Sequence, residues 1–220
     1  MRIQLILVGL WLVSLTPLFG QSAPDSATTA RADTAQQDTT ILRFPIKEKI
    51  GPSAWRKTKQ AFELARKKDA DYVMIHMNTF GGRVAEADSI RSAILDAPMP
   101  VYVFIDPNAA SAGALISIAC DKIYMSPSAT IGAATVVNQS GEKAPEKYQS
   151  YMRGTMRATA QASGRDPDIA EAMVDASIDL EGIAPEGELL TFTRSEAIAN
   201  DYCEGKAGTF QEMLEKEGLA

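Results

Sequence analysis

Twice in the middle of the chain, a short apolar run ends in small residues and then passes into a helical pattern. This repeated unit restricts the fold more than any other feature. Tyr72 to Met77 reads as a strand, and after Asn78-Thr79-Phe80-Gly81-Gly82-Arg83 the residues Val84, Ala87, Ile90, Ile94 and Leu95 recur at helical spacing. Val101 to Ile105 reads as a second buried strand, Asp106-Pro107-Asn108 as a turn, and Ala112 to Cys120 as a helix without charge. Around this centre, Leu42 to Ile50 reads as a strand and Ser53 to Lys68 as a helix, with short strands at Lys122 to Met125 and Ala129 to Ala133. A long helix is predicted from Lys147 to about Ser163 and another from Asp168 to Ala176. A strand follows at Leu189 to Phe192, a capping-box helix starts at Thr193 with Glu196, and a closing helix runs from Thr209 to Glu217. Strands alternating with helices define an α/β protein.

The junctions carry the candidate chemistry. Ser111 falls where a strand meets a helix, so unpaired N–H groups and the positive end of the helix dipole lie beside its hydroxyl. That is where a nucleophile with an anion-stabilising pocket would sit, and it is equally where a plain N-cap serine sits. Gly81 and Gly82 end the other strand. Glycine there permits a turn and lets a substrate carbonyl approach the main chain, although most Gly-Gly pairs are turns and nothing more.

A serine nucleophile needs a base. The one histidine, His76, lies inside a strand and reads as a packed residue, which disfavours a Ser-His-Asp triad. The remaining candidate is an amine. Lys147 follows Ala144-Pro145-Glu146 at a helix start, with Tyr148, Tyr151, Met152 and Met156 forming an apolar face. A lysine acts as a base only when neutral, so its ordinary pKa of about 10.4 must fall to roughly 7–8, which burial can supply. Lys147 is therefore expected to be desolvated, against the default of a solvated surface charge. Lys143, in a polar loop, and Lys122, at a strand start, are weaker rivals.

Length and composition bound the rest. The chain has 220 residues, 45% hydrophobic and 23% charged, enough for one domain with a real core. Residues 1–20 have the form of a secretory signal peptide, with an apolar run after Arg2 and Gly20 as the cleavage position. Residues 21–40, rich in Ala, Ser, Thr, Asp and Gln, read as a flexible linker before a domain at 41–220. The expected location is exported, periplasmic or extracytoplasmic and membrane-associated. A net charge of −6 disfavours nucleic acid as a partner. Cys120 and Cys203 lack metal-ligand spacing and read more simply as buried residues than as a bridge. No metal site, nucleotide motif or other cofactor is expected.

Three segments in order, NTFGGRV, NAASAGALISIACDKIYMSPSATIGAA and APEKYQSYM, resemble the membrane-associated serine proteases of the NfeD type, within the class of Clp protease subunits and signal peptide peptidase A. The similarity runs from about Phe44 to about Leu214. It implies a Clp/crotonase-like spiral of ββα units. It also implies Ser111 as nucleophile, Lys147 as general base, the N–H groups of Gly82 and Ala112 as oxyanion donors, and Gly81 as the residue that shapes the turn. The implied activity is ATP-independent cleavage of apolar segments of membrane-associated proteins, stomatin-like C-terminal tails among them, by a homo-oligomer. The chain departs from the resemblance at Phe80, where relatives carry proline, and in a shorter segment between Ile131 and Lys147. A catalytically inactive peptide-binding scaffold and a crotonase-type acyl-CoA enzyme are the alternatives. The latter would share the oxyanion turn without needing Ser111 or Lys147.

Overall fold

The computed structural model describes residues 39–220. The predicted signal peptide and nearly all of the predicted linker lie outside those residues. A seven-stranded sheet forms the centre. Strands β1 (Ile41–Ile46), β2 (Tyr72–Thr79), β3 (Val101–Ala110), β4 (Lys122–Met125) and β7 (Gly205–Lys206) lie side by side in that order, all parallel. Strand β5 (Thr130–Gly132) continues the parallel pairing on the far part of β3. Strand β6 (Thr191–Thr193) pairs antiparallel to β5.

Helices α1 (Pro52–Lys67), α2 (Val84–Leu95) and α3 (Ala112–Ile118) form the crossovers between the first four strands. In α1, Pro52 pre-sets the first turn and Ala54, Thr58, Ala61, Phe62 and Ala65 bury one face, while Arg66 and Lys67 complement the negative end of the dipole. Helices α4 (Glu146–Ala162), α5 (Pro167–Ala172), α6 (Arg194–Ala199) and α7 (Phe210–Lys216) complete the order, and the capping box of Thr193 and Glu196 is present at α6.

The central strands are buried on both faces, and alternation sorts their residues. Val73, Ile75, Met77, Val101, Val103 and Ile105 enter the main core beneath the crossover helices. Met74, Tyr102, Phe104 and Tyr124 form a second cluster on the opposite face, covered by Ala207 and Met213 of the C-terminal segment.

Several boundaries differ from expectation. Strand β3 does not turn at Asp106-Pro107-Asn108. It runs on to Ala110 by exchanging one neighbour for another, β4 along Tyr102–Ile105 and β5 along Asn108–Ala110. A register shift opposite Met77 and Thr79 falls at that exchange, where Pro107 offers no N–H to a ladder. Strand β1 ends at Ile46. Ile50 instead makes an isolated bridge to Gly82, and Lys47, Glu48 and Lys49 leave the ladder. Helices α3 and α5 end earlier than predicted, at Ile118 and Ala172. Strand β6 starts two residues later and ends one later than predicted, and the two-residue β7 has no counterpart in the sequence reading.

Candidate active site

The two glycine- and serine-bearing junctions come together at the carboxyl ends of β2 and β3. Ile50 straps the first junction, its N–H donating to Gly81 O at 2.9 Å and its carbonyl accepting from Arg83 N at 2.9 Å. The chain approaches Gly82 so closely that a Cβ there would lie 2.1 Å from Ile50 O, which only glycine tolerates. Gly81 has φ +101°, and a Cβ on it would lie 2.6 Å from Ser111 Cβ. The predicted turn-shaping residue therefore touches the predicted nucleophile. Gly113 does the same for the helix, since a Cβ there would meet Thr79 Cγ2 at 2.7 Å. Its absence lets α3 start directly against the end of β2.

Ser111 occupies an uncommon backbone region for a residue with a side chain, φ 54° and ψ −117°. Its N–H donates to Gly132 O at 2.8 Å, and its carbonyl accepts from Ala114 N at 2.9 Å. The main chain is thus fully engaged while the half-buried hydroxyl caps nothing, so the N-cap reading does not describe this serine. Among the described residues, neither Gly82 N–H nor Ala112 N–H donates to any acceptor. Helix starts leave donors such as Ala112 N–H by default, and the Gly81-Gly82 turn packs against the same serine, where a Cβ on Gly81 would lie 3.1 Å from Ser111 Oγ. At the other end of α3, buried Arg165 donates to Ile118 O at 3.2 Å and Cys120 O at 2.8 Å, and pairs with Glu204 at 2.8 Å. The short helix is thereby held at both ends.

The serine opens into a cleft of about 830 Å³ bordered by Lys49, Phe80, Arg83, Val137 and Gln139. Phe80 is 82% exposed and Val137 54%, so this wall presents apolar surface to solvent. Lys147 lies in an adjoining cleft of about 620 Å³ with Asp88, Val136, Tyr148 and Tyr151, and the two clefts share Val84 and Ala85. The Lys147 ammonium sits 4.9 Å from the centre of the Tyr148 ring, and the side chain is exposed. The expected desolvation of Lys147 is thus not supplied by the described residues, and no hydrogen bond joins it to Ser111.

Of the rivals, Lys122 is engaged elsewhere and Lys143 is open to solvent. Lys122 pairs with Glu217 at 2.6 Å beneath the far face, and Lys143 is an exposed hairpin residue bridged to Val137. His76 is a packed strand residue, as the sequence suggests. Its Nδ1 lies 3.0 Å from Arg43, its Nε2 3.3 Å from Asp106, and Phe104 and Phe210 flank the ring. Burial, with Lys47 nearby, pushes its pKa down. Cys120 and Cys203 are both free and buried; burial lifts the Cys203 thiol to about 11. No group of residues suited to a metal occurs among the described residues, and no helix there is long and apolar enough to cross a membrane.

Sequence reasoning passed over Ile50, which shapes the glycine turn, and the segment Val136 to Gln139, which walls the clefts. Neither has a local signature, because Ile50 acts through its main chain and Val136 to Gln139 wall the clefts only by where the fold sets them.

A parallel sheet with these junctions at its strand ends places the molecule in the ClpP/crotonase-like fold class. ClpP1 from Listeria monocytogenes superposes with a TM-score of 0.61 over 81% of this chain and 95% of that one, at 18% identity, a likeness of fold. The chain belongs to the NfeD1b family, matching the N-terminal domain of that family over residues 40–220. It is 33% identical over 181 residues to the membrane protein NfeD1b of Bacillus subtilis, covering 82% of this chain and 41% of that protein. It is 30% identical over 167 residues to the membrane-bound protease PH1510 of Pyrococcus horikoshii, covering 72% of this chain and 37% of that one. The chain thus spans about two fifths of the length of these curated relatives. Among solved structures, the 1510-N membrane-bound stomatin-specific protease matches as a serine-to-alanine mutant, with a TM-score of 0.71 and 26% identity over 81% of this chain and 84% of that one. It also matches as a lysine-to-alanine mutant in complex with a substrate peptide, with a TM-score of 0.72 and 26% identity over 82% and 80%.

Proposed function

We propose that the chain is an ATP-independent serine endopeptidase that cleaves apolar segments of membrane-associated proteins through Ser111 and Lys147. The observation that carries this reading is the close packing of Gly81 against Ser111, which sets an uncapped hydroxyl beside the glycine turn in a cleft of mixed polar and apolar lining. The relationship to a membrane-bound protease supports it.

Neutral Lys147 accepts the Ser111 proton as the serine oxygen attacks the scissile carbonyl. Gly82 N–H and Ala112 N–H hold the oxyanion, each donor contributing about 3 kcal/mol to the transition state. The leaving amine takes the proton back from Lys147, and water then hydrolyses the ester on Ser111. No cofactor enters these steps. Because Lys147 is exposed beside Tyr148 and Tyr151, a bound apolar segment is what removes water from it. That makes an apolar substrate part of the mechanism as well as its target. Stomatin-like tails fit this chemistry, as does work outside the cytoplasm at a membrane surface by an assembly of several copies.

The separation of Lys147 from Ser111 into two clefts also favours a second reading, a peptide-binding scaffold without turnover. Incubating the purified protein with apolar peptides separates the two. The protease reading expects cleavage that Ser111→Ala and Lys147→Ala both abolish while peptide binding persists; binding without cleavage by the unaltered protein leaves the scaffold.

A further inference from the structure

Between β5 and α4 the chain folds into a small hairpin whose base pairs Val136 with Ala144 and whose tip walls the serine cleft. Ala144 N donates to Val136 O at 2.9 Å, Val137 and Lys143 form an antiparallel bridge, and Asn138 N donates to Glu142 O at 2.9 Å. The tip is satisfied internally, because Asn138 Oδ1 accepts from both Ser140 N and Glu142 N at 3.0 Å. Val137 and Gln139 face the Ser111 cleft and Val136 faces the Lys147 cleft, so the hairpin stands against both candidate catalytic groups.

Beyond the covalent connection through Pro145, one buried side chain ties this hairpin to the helix. Gln149, 1% exposed on the inner face of α4, accepts from Val136 N at 3.1 Å. Its amide nitrogen donates to Val136 O at 2.7 Å and to Ala144 O at 3.1 Å. The amide therefore pairs with the hairpin base as a neighbouring strand would. A glutamine buried and satisfied on both amide atoms fixes relative position tightly, because any slippage strands a buried polar group.

We propose that Gln149 is a positioning residue for the reaction, locking the cleft-wall hairpin to the first turns of α4 so that Lys147 and the serine cleft keep one register. The assignment rests on the protease reading above. Gln149 and Lys147 are two residues apart and point to different sides of the helix, one into the hairpin base and one into the cleft. The side chain thus acts through the helix start without touching substrate.

The test is Gln149→Met, which preserves length and removes both halves of the clamp. Val136 N–H is read by hydrogen exchange, and kcat and KM are read with the activated ester of an apolar peptide long enough to cover Lys147. The expected result is loss of Val136 protection together with a kcat lower by about tenfold or more, as KM stays within about a factor of two. Unchanged kcat in folded Gln149→Met, with Val136 deprotected, overturns the assignment while leaving the protease reading intact. An unaltered protein that turns over neither ester nor peptide overturns both. If Gln149→Met does not fold, Gln149→Asn, one methylene shorter with the amide retained, takes its place under the same criteria. Failure of both to fold assigns Gln149 to stability alone and overturns the proposal.

Discussion

The serine side of the candidate site and the lysine side are built in opposite ways. Around Ser111 the main chain is crowded to the limit: Gly81, Gly82 and Gly113 each leave room for a neighbour that a Cβ would strike, Ile50 straps the turn, and Arg165 holds the far end of α3. Around Lys147 the helix start is exposed, the neighbours are tyrosines half open to solvent, and attachment to the hairpin passes through Gln149. The contrast teaches that the chain by itself fixes the main chain around Ser111, whereas it leaves the surroundings of Lys147 open, which the proposed mechanism assigns to the bound substrate to fill. Preorganised dipoles serve at the moment of reaction, but a lysine kept permanently dry would cost stability in the free protein.

The comparison breaks most decisively at Ser111. Ser111→Ala is expected to lower peptide hydrolysis by about a thousandfold or more, measured as kcat/KM, while thermal unfolding stays close to that of the unaltered protein. The crowding claim is tested next by Gly82→Ala, whose methyl would sit 2.1 Å from Ile50 O. A loss of about 3 kcal/mol in a denaturant titration is expected, against a gain of up to about 1 kcal/mol for Gly154→Ala, inside α4, where nothing lies within 4 Å. The open side is sharpened by amine labelling. Lys147 should react readily in the free protein and about tenfold more slowly once an apolar peptide fills the clefts, read by peptide mapping; equal rates would sever substrate binding from desolvation.

A smaller effect is expected far from both groups. Partial burial works against the Glu217 carboxylate, yet hydrogen bonds from Lys122 and Tyr124 outweigh it and hold its pKa below the ordinary 4.5. A lowered folded-state value means this latch stabilises α7 above pH 4.5 and is lost as pH falls through the depressed value. Hydrogen exchange on acidification should therefore release α7 before α3, and Glu217→Gln should remove that ordering. The smallest effect belongs to Phe80, which is 82% exposed. Phe80→Ser should raise KM for apolar peptides by about two- to fivefold with stability unchanged.

Much of this architecture was legible in the chain because central parallel strands and crossover helices carry strong periodicity. Lys122–Met125 and the helix from Val84 have the bounds their patterns imply, and the capping box at Thr193 declares itself through Glu196. The extension of β3 through Asp106-Pro107-Asn108 was hidden, because a change of neighbour from β4 to β5 leaves no mark on local composition. The site shows the same division. Ser111 and the glycine pair announce themselves by residue type at strand ends. The strap from Ile50 and the clamp from Gln149 are tertiary contacts made by residues whose types are commonplace. The environment of Lys147 was legible least, since exposure depends on what packs over a helix start from elsewhere in the fold.

The most direct measurement is peptide mapping of the purified protein after brief incubation with the activated ester of an apolar peptide that covers Lys147. An acyl group on Ser111, absent from Ser111→Ala and slowed in Lys147→Ala, is the result this account predicts. Ester turnover of equal rate in the unaltered protein and in Ser111→Ala, with no acyl group on Ser111, would contradict it.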